Sequence, residues 1–176
     1  MKMKNVFLII AVMVFVSCSS KHDKLTEEIK QLEEKVRNQP MPDQVDGGKL
    51  MNLYIEFADE FPDDSLTPNV LFNASRLSLA LNDPNRSLEI LHRLINDYVD
   101  SKPIPDAYVF TGFIYETVKG DLGNARYWYE LFLKDFPNHD MYEDVMASLN
   151  NLGKTPDEIV AEFMANLEQE KQTTGN

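Results

Sequence analysis

From Lys49 onward, apolar residues recur three and four positions apart, and no stretch alternates strictly between apolar and polar, so the chain reads as all-α. Helix starts punctuate this pattern. Thr67-Pro68 and Asp83-Pro84 each set a capping side chain before a proline at the first helical position. Thr155-Pro156-Asp157-Glu158 does the same and adds the glutamate of a capping box. The spacing predicts helices over about 48–60, 68–81, 84–97, 105–118, 122–135, 140–151 and 156–170. Links between them are short, which makes successive helices antiparallel neighbours.

An earlier helix, about 24–38, carries Leu25, Ile29, Leu32 and Val36 at spacings of four, three and four, a narrow apolar seam. Lys30 with Glu34, and Glu33 with Arg37, support its polar face as i,i+4 pairs. Two readings stand side by side: a short coiled coil of fewer than three heptads, or a helix folded back on the rest of the chain. Gln39-Pro40-Met41-Pro42 ends it, and Gly47-Gly48 completes an apparent linker. The chain then divides into 1–17, a cleaved leader; 18–48, tether, helix and linker; 49–170, a helical domain; and 171–176, a disordered tail.

The helical domain repeats. At an offset of 38, Val70 falls on Tyr108, Ala74 on Gly112, Leu77 on Tyr115 and Asp83 on Asp121. The register continues without a gap through Ser87 on Ala125, Leu91 on Tyr129, Leu94 on Phe132 and Tyr98 on Phe136. Tyr54, Phe57 and Phe61 precede Leu91, Leu94 and Tyr98 by 37. A period of this size marks stacked helix pairs, in which small residues such as Ala74, Gly112 and Ala125 admit close approach and aromatics fill the gaps. The pair after residue 140 reads as a degenerate last unit whose inner face is Ile159, Val160, Phe163, Met164 and Leu167.

Tyr108, Gly112, Tyr115, Ala125, Tyr129, Phe132 and Pro137 together resemble the tetratricopeptide repeat. The longer period and the Phe-Pro corners at Phe61-Pro62 and Phe136-Pro137 are similar to the envelope subgroup of the BamD-like assembly lipoproteins and the Tol-Pal coordinator. Departures are Val99, where the family prefers proline, and the turn Lys119–Asn124. The resemblance implies a short right-handed α-solenoid of antiparallel pairs, used for protein–protein interaction. Its spacing places a partner groove on Leu71, Ser75, Ser78, Val109, Phe113 and Glu116. The lysine and asparagine of carboxylate-clamping repeats are replaced by Leu71, Ser75, Val109 and Phe113, so that mode is not expected. A mildly apolar groove suits a protein segment instead. The plainer alternative is that Val109 and Phe113 pack against the neighbouring repeat.

The N-terminus supplies an address. Lys2 and Lys4 precede an unbroken apolar run from Val6 to Val16, too short for a membrane span of about 20 residues and suited to a secretory leader. Phe15-Val16-Ser17-Cys18 resembles the lipobox of bacterial lipoproteins, with Phe15 where leucine is usual. That resemblance implies cleavage before Cys18, covalent lipid on its thiol and amine, and anchoring to a membrane of the cell envelope. Ser19, in place of aspartate, points to the outer membrane by the same resemblance and leaves the face open.

Composition narrows the chemistry. The 176 residues hold 29 Asp and Glu against 17 Lys and Arg, a net charge of −12. Removing the leader with Lys2 and Lys4 brings this to −14. Such a balance argues against nucleic acid as a partner. A lone cysteine excludes an internal disulfide and a multi-thiolate zinc site. His22, His92 and His139 lie in different segments with no paired ligand spacing, and no phosphate-binding glycine loop is present, so neither enzyme activity nor a cofactor other than the lipid is expected. Acids gather at the corners, among them Asp59, Glu60, Asp63 and Asp64, where they could steer a basic partner or simply cap helices. Tyr127-Trp128-Tyr129 could stack a glycan only if three adjacent residues shared a face. The expected function is a lipid-anchored adaptor for an envelope protein; the alternatives are a structural tether that oligomerises through 24–38 and a carbohydrate-binding accessory.

Overall fold

The structure, a computed structural model, describes residues 21–174. Cys18 and the leader lie outside the described residues. Among those described there are helices and no strand. α1 covers 21–37 and is followed by α2 (Gln44–Glu60), α3 (Thr67–Ala80), α4 (Pro84–Asp97) and α5 (Ile104–Phe113). A π-helical turn (Ile114–Val118) continues α5, and α6 (Leu122–Asp135), α7 (Tyr142–Asn151) and α8 (Pro156–Thr174) complete the chain. Two compact units divide between Ala107 and Tyr108.

The repeat seen in the sequence is present as recurring local geometry. Phe61, Tyr98 and Phe136 each close a helix with φ between −126° and −133°, donating their N–H to the carbonyls of Phe57, Leu94 and Phe132. Asp83 and Asp121 each cap the following helix, accepting from the N–H of Arg86 and Asn124. Just before them, Asn82 (φ 64°) and Gly120 (φ 63°) take the left-handed conformation, which Asn and Gly tolerate best. The capping box forms as expected, with Glu158 accepting from Thr155 N–H at 2.7 Å. Thr67 departs from expectation. It is buried and donates its hydroxyl to Phe61 O, while Asp64 takes the local N–H of Leu66.

In the first unit α1 is welded to α2 rather than set apart by a linker. Asp43 caps α2 through the N–H groups of Val45 and Asp46, so Gly47 and Gly48 sit inside the first turns of that helix. Gly47 is there for proximity: a Cβ would stand 2.8 Å from the Leu81 side chain. Lys35 meets the buried Asp46 at 2.7 Å, and Gln39 donates to the same carboxylate. At the other end Lys21 pairs with Glu60 and His22 with Asp64, its ring against Phe57 and Phe61. Residues 21–23 are therefore helical and engaged, not part of a free tether. Leu25, Ile29 and Val36 are buried, so the seam that suggested a coiled coil is covered within the unit. α2 packs on α3, and α3 on α4 around Leu71, Ala74, Leu91 and Leu94, all 0 % exposed.

The second unit is built on Ala125, Tyr129, Phe132 and Val145, with Tyr108, Val109, Tyr115 and Phe136 packed against them. Gly112 has no room for a side chain: a Cβ would lie 2.5 Å from the Tyr129 ring. Two expectations fail here. Val160, Phe163 and Met164 of α8 are more than half exposed, so they do not form the inner face of a cap; only Ile159 and Leu167 are partly covered. α8 also continues to Thr174, into the segment expected to be a tail.

Candidate functional site

A concave surface lies in the first unit, where α1 and α3 form two walls over a floor made by α2; a second, of about 520 Å³, opens between α1 and α2 at Leu32, Lys35, Lys49 and Leu53. One part of the first, about 520 Å³, is lined by Glu33, Val36 and Arg37 of α1 and by Asn73, Arg76, Leu77 and Ala80 of α3, over Leu50 and Tyr54. A second part, about 200 Å³, is lined by Thr26, Ile29 and Lys30 facing Leu66, Asn69 and Val70, over Phe57. Glu33 and Asn73 border both, which makes them one trough. The lining positions on each wall step by three and four, as a single helical face must.

The trough has two chemically different ends. Toward the start of α1 it is apolar, with Ile29, Val70, Phe57 and the 43 %-exposed Leu66. Toward the end of α1 it presents the guanidinium groups of Arg37 and Arg76. Between them the buried Tyr54 hydroxyl donates to Glu33 at 2.7 Å. Burial, then that carboxylate, push the Tyr54 phenol well above the usual tyrosine range, with Arg37 and Arg76 opposing. Lys21, Lys24, Lys35, Arg86 and Arg93 of this unit all stand in ion pairs. Lys30, Arg37 and Arg76 have no carboxylate within 4.0 Å among the described residues. The cations that line the trough are thus left open to solvent while most others are neutralised.

The groove positions expected from repeat spacing fall elsewhere. Leu71, Ser75 and Ser78 are buried. Ser75 donates to Phe72 O and Ser78 contacts Met51 of α2, so the face carrying them is the one that packs on neighbouring helices. The open face of α3 is rotated to Asn69, Asn73, Arg76 and Ala80. Polar residues at that spacing beside the buried 71/74/78 stripe are the available signal. In the second unit Val109 belongs to the core surround, whereas Phe113 is 43 % exposed and stacks on Phe110 at 6.1 Å. Glu116 is held by the Tyr129 hydroxyl at 2.7 Å, and burial followed by this bond raises that phenol also.

At the corner after α2, three of the acids are occupied locally. Asp59 pairs with Arg93, Glu60 with Lys21 and Asp64 with His22, which favours the capping and pairing role over a steering edge. Trp128 meets Tyr108 and Tyr127 edge to face, while Tyr129 is buried, so the three aromatic neighbours do not share a surface. Among the described residues no group of three or more His, Cys, Asp and Glu is placed to hold a metal ion, and no helix is long and apolar enough to cross a membrane. Compared with protein-family models, curated proteins and solved structures, the chain matches none.

Proposed function

We propose that this chain is a lipid-anchored adaptor of a bacterial cell envelope, which holds a segment of a protein partner in the trough between α1 and α3. The observation that carries the reading is the trough itself: two parallel helical walls, amides at the exposed Asn69 and the half-buried Asn73, an apolar end and unpaired cations. Such a surface offers backbone-binding amides and side-chain pockets, the means by which grooves hold peptide segments. Support for the anchor comes from the sequence alone, in the position of the single cysteine directly after an apolar leader. Two or three acyl chains at about 0.8 kcal/mol per buried methylene hold a protein on a membrane durably.

Only Ser19 and Ser20 separate Cys18 from the first described helical residue, Lys21, which is already paired with Glu60. Three residue steps reach at most about 10 Å, so the anchor would keep the apolar end of the trough close to the membrane surface. The test of the anchor is fractionation with labelled palmitate. The expected result is label on the full chain and none on Cys18→Ala, which leaves the membrane fraction. Unlabelled wild-type chain, or a Cys18→Ala chain that stays with the membrane, would refute the anchor. The adaptor reading is tested by affinity capture from solubilised envelope, with Val70→Glu as the trough-blocked comparison. A partner captured equally by both would remove the trough from the account.

A further inference from the structure

We infer that the trough selects an extended acidic segment, one that sets an apolar side chain at the Leu66/Val70 end and carboxylates at the Arg37/Arg76 end. This rests on the adaptor reading and adds to it the chemistry of the partner. Three observations combine. The chain as a whole carries a net charge of −12, yet the trough is lined by Lys30, Arg37 and Arg76 against the single acid Glu33. That one acid is engaged by the Tyr54 hydroxyl. The three cations have no carboxylate within 4.0 Å among the described residues, whereas Lys35 on the same helix as Lys30 and Arg37, and Arg93 on α4, do.

An acidic protein that leaves three cations without a carboxylate partner around one concavity has built a local field complementary to negative charge. Arginine in particular presents a planar fork matched to carboxylates. The dimensions limit the ligand further. Ile29 and Arg37 are eight residues apart on α1, about 12 Å at a rise of 1.5 Å per residue. An extended strand covers that in about four residues at 3.3 Å each. A leucine-like anchor followed some four residues later by two or three acids therefore spans both ends.

The experiment is fluorescence anisotropy with the full chain in nonionic detergent. It uses three labelled ten-residue peptides that share one leucine in a Gly/Ser background. Four residues on, they carry Asp-Glu-Asp, its amide counterpart Asn-Gln-Asn, or three lysines. The expected result is at least tenfold tighter binding of the acidic peptide than of the amide one. R37E/R76E should lose at least tenfold, and the neutral R37Q/R76Q should weaken binding if the reversed pair misfolds by circular dichroism. K49E/K102E makes the same charge change outside the trough and should stay within twofold of wild type. Equal binding of acidic and amide peptides, or equal loss in K49E/K102E, overturns the inference. Binding of the lysine or amide peptide that Val70→Glu abolishes would keep the adaptor reading while overturning the acidic preference. No binding by any of the three overturns both. Arginine-dependent binding to phosphatidylglycerol vesicles with no peptide binding would also overturn it, in favour of a lipid surface.

Discussion

Two tyrosines do similar work at different places. Tyr54 and Tyr129 are each buried and each donate to a glutamate at 2.7 Å, Glu33 and Glu116. Both phenols are pushed above the usual range, first by burial and then by the acceptor carboxylate. A folded state that keeps a phenolic proton longer than the unfolded chain does has stability that is complete below about pH 10 and is lost as pH rises beyond it. Tyr54→Phe and Tyr129→Phe should therefore each make the fall of the urea midpoint between about pH 8 and pH 10.5 shallower. An unchanged slope in both variants would contradict this. Gly112 makes a steric prediction. With the Tyr129 ring 2.5 Å from the site of a Cβ, Gly112→Ala should destabilise the second unit by about 1–3 kcal/mol, the usual cost of overpacking. Equilibrium urea unfolding of the two chains measures it. The sequence carries the need for a small residue here, because Gly112 aligns with Ala74 at the repeat offset. It does not carry the hydroxyl–carboxylate bonds, since Glu33 and Glu116 look like any exposed helical acids until the neighbouring helix is placed.

Among elements, the repeat corners were the most legible. Asp83 and Asp121 cap helices for a local reason, and local chemistry is what a sequence displays. α1 was harder, because Pro40, Pro42, Gly47 and Gly48 together have the composition of a linker. Asp43 turns that segment into a helix start, and Gly47 lets α2 approach Leu81. Both depend on a neighbour that the local sequence does not show. The trough is not legible in the sequence for a related reason. Leu71, Ser75 and Ser78 share one stripe of α3, and only the packing of Met51 on Ser78 decides that this stripe faces inward. If α1 is part of the first unit, Ile29→Ala, at a site 7 % exposed, should cost roughly 2–4 kcal/mol of domain stability. A chain that loses an oligomer in sedimentation but unfolds at the same urea concentration would instead return α1 to the role of a free coiled coil.

For the whole molecule, the acidic excess and the cationic trough belong to one arrangement. Several acids are spent on caps and ion pairs at helix ends, among them Asp59, Glu60, Asp64, Asp83 and Asp121, and Lys30, Arg37 and Arg76 of the first unit line one concavity. Net charge alone conceals this, because it averages over surfaces that a partner meets separately. The exposed Val160, Phe163 and Met164 of α8 offer a competing apolar surface, so the location of the partner is the point on which the account turns. The most direct measurement is site-specific photo-crosslinking of the intact, membrane-bound chain in cells, with the probe at Asn73 in the trough or at Phe163 on α8. The account predicts a discrete protein adduct from Asn73 that falls at least tenfold when Val70→Glu or R37E/R76E is added to the same chain. An adduct from Phe163 with none from Asn73, or an Asn73 adduct indifferent to those substitutions, would contradict it.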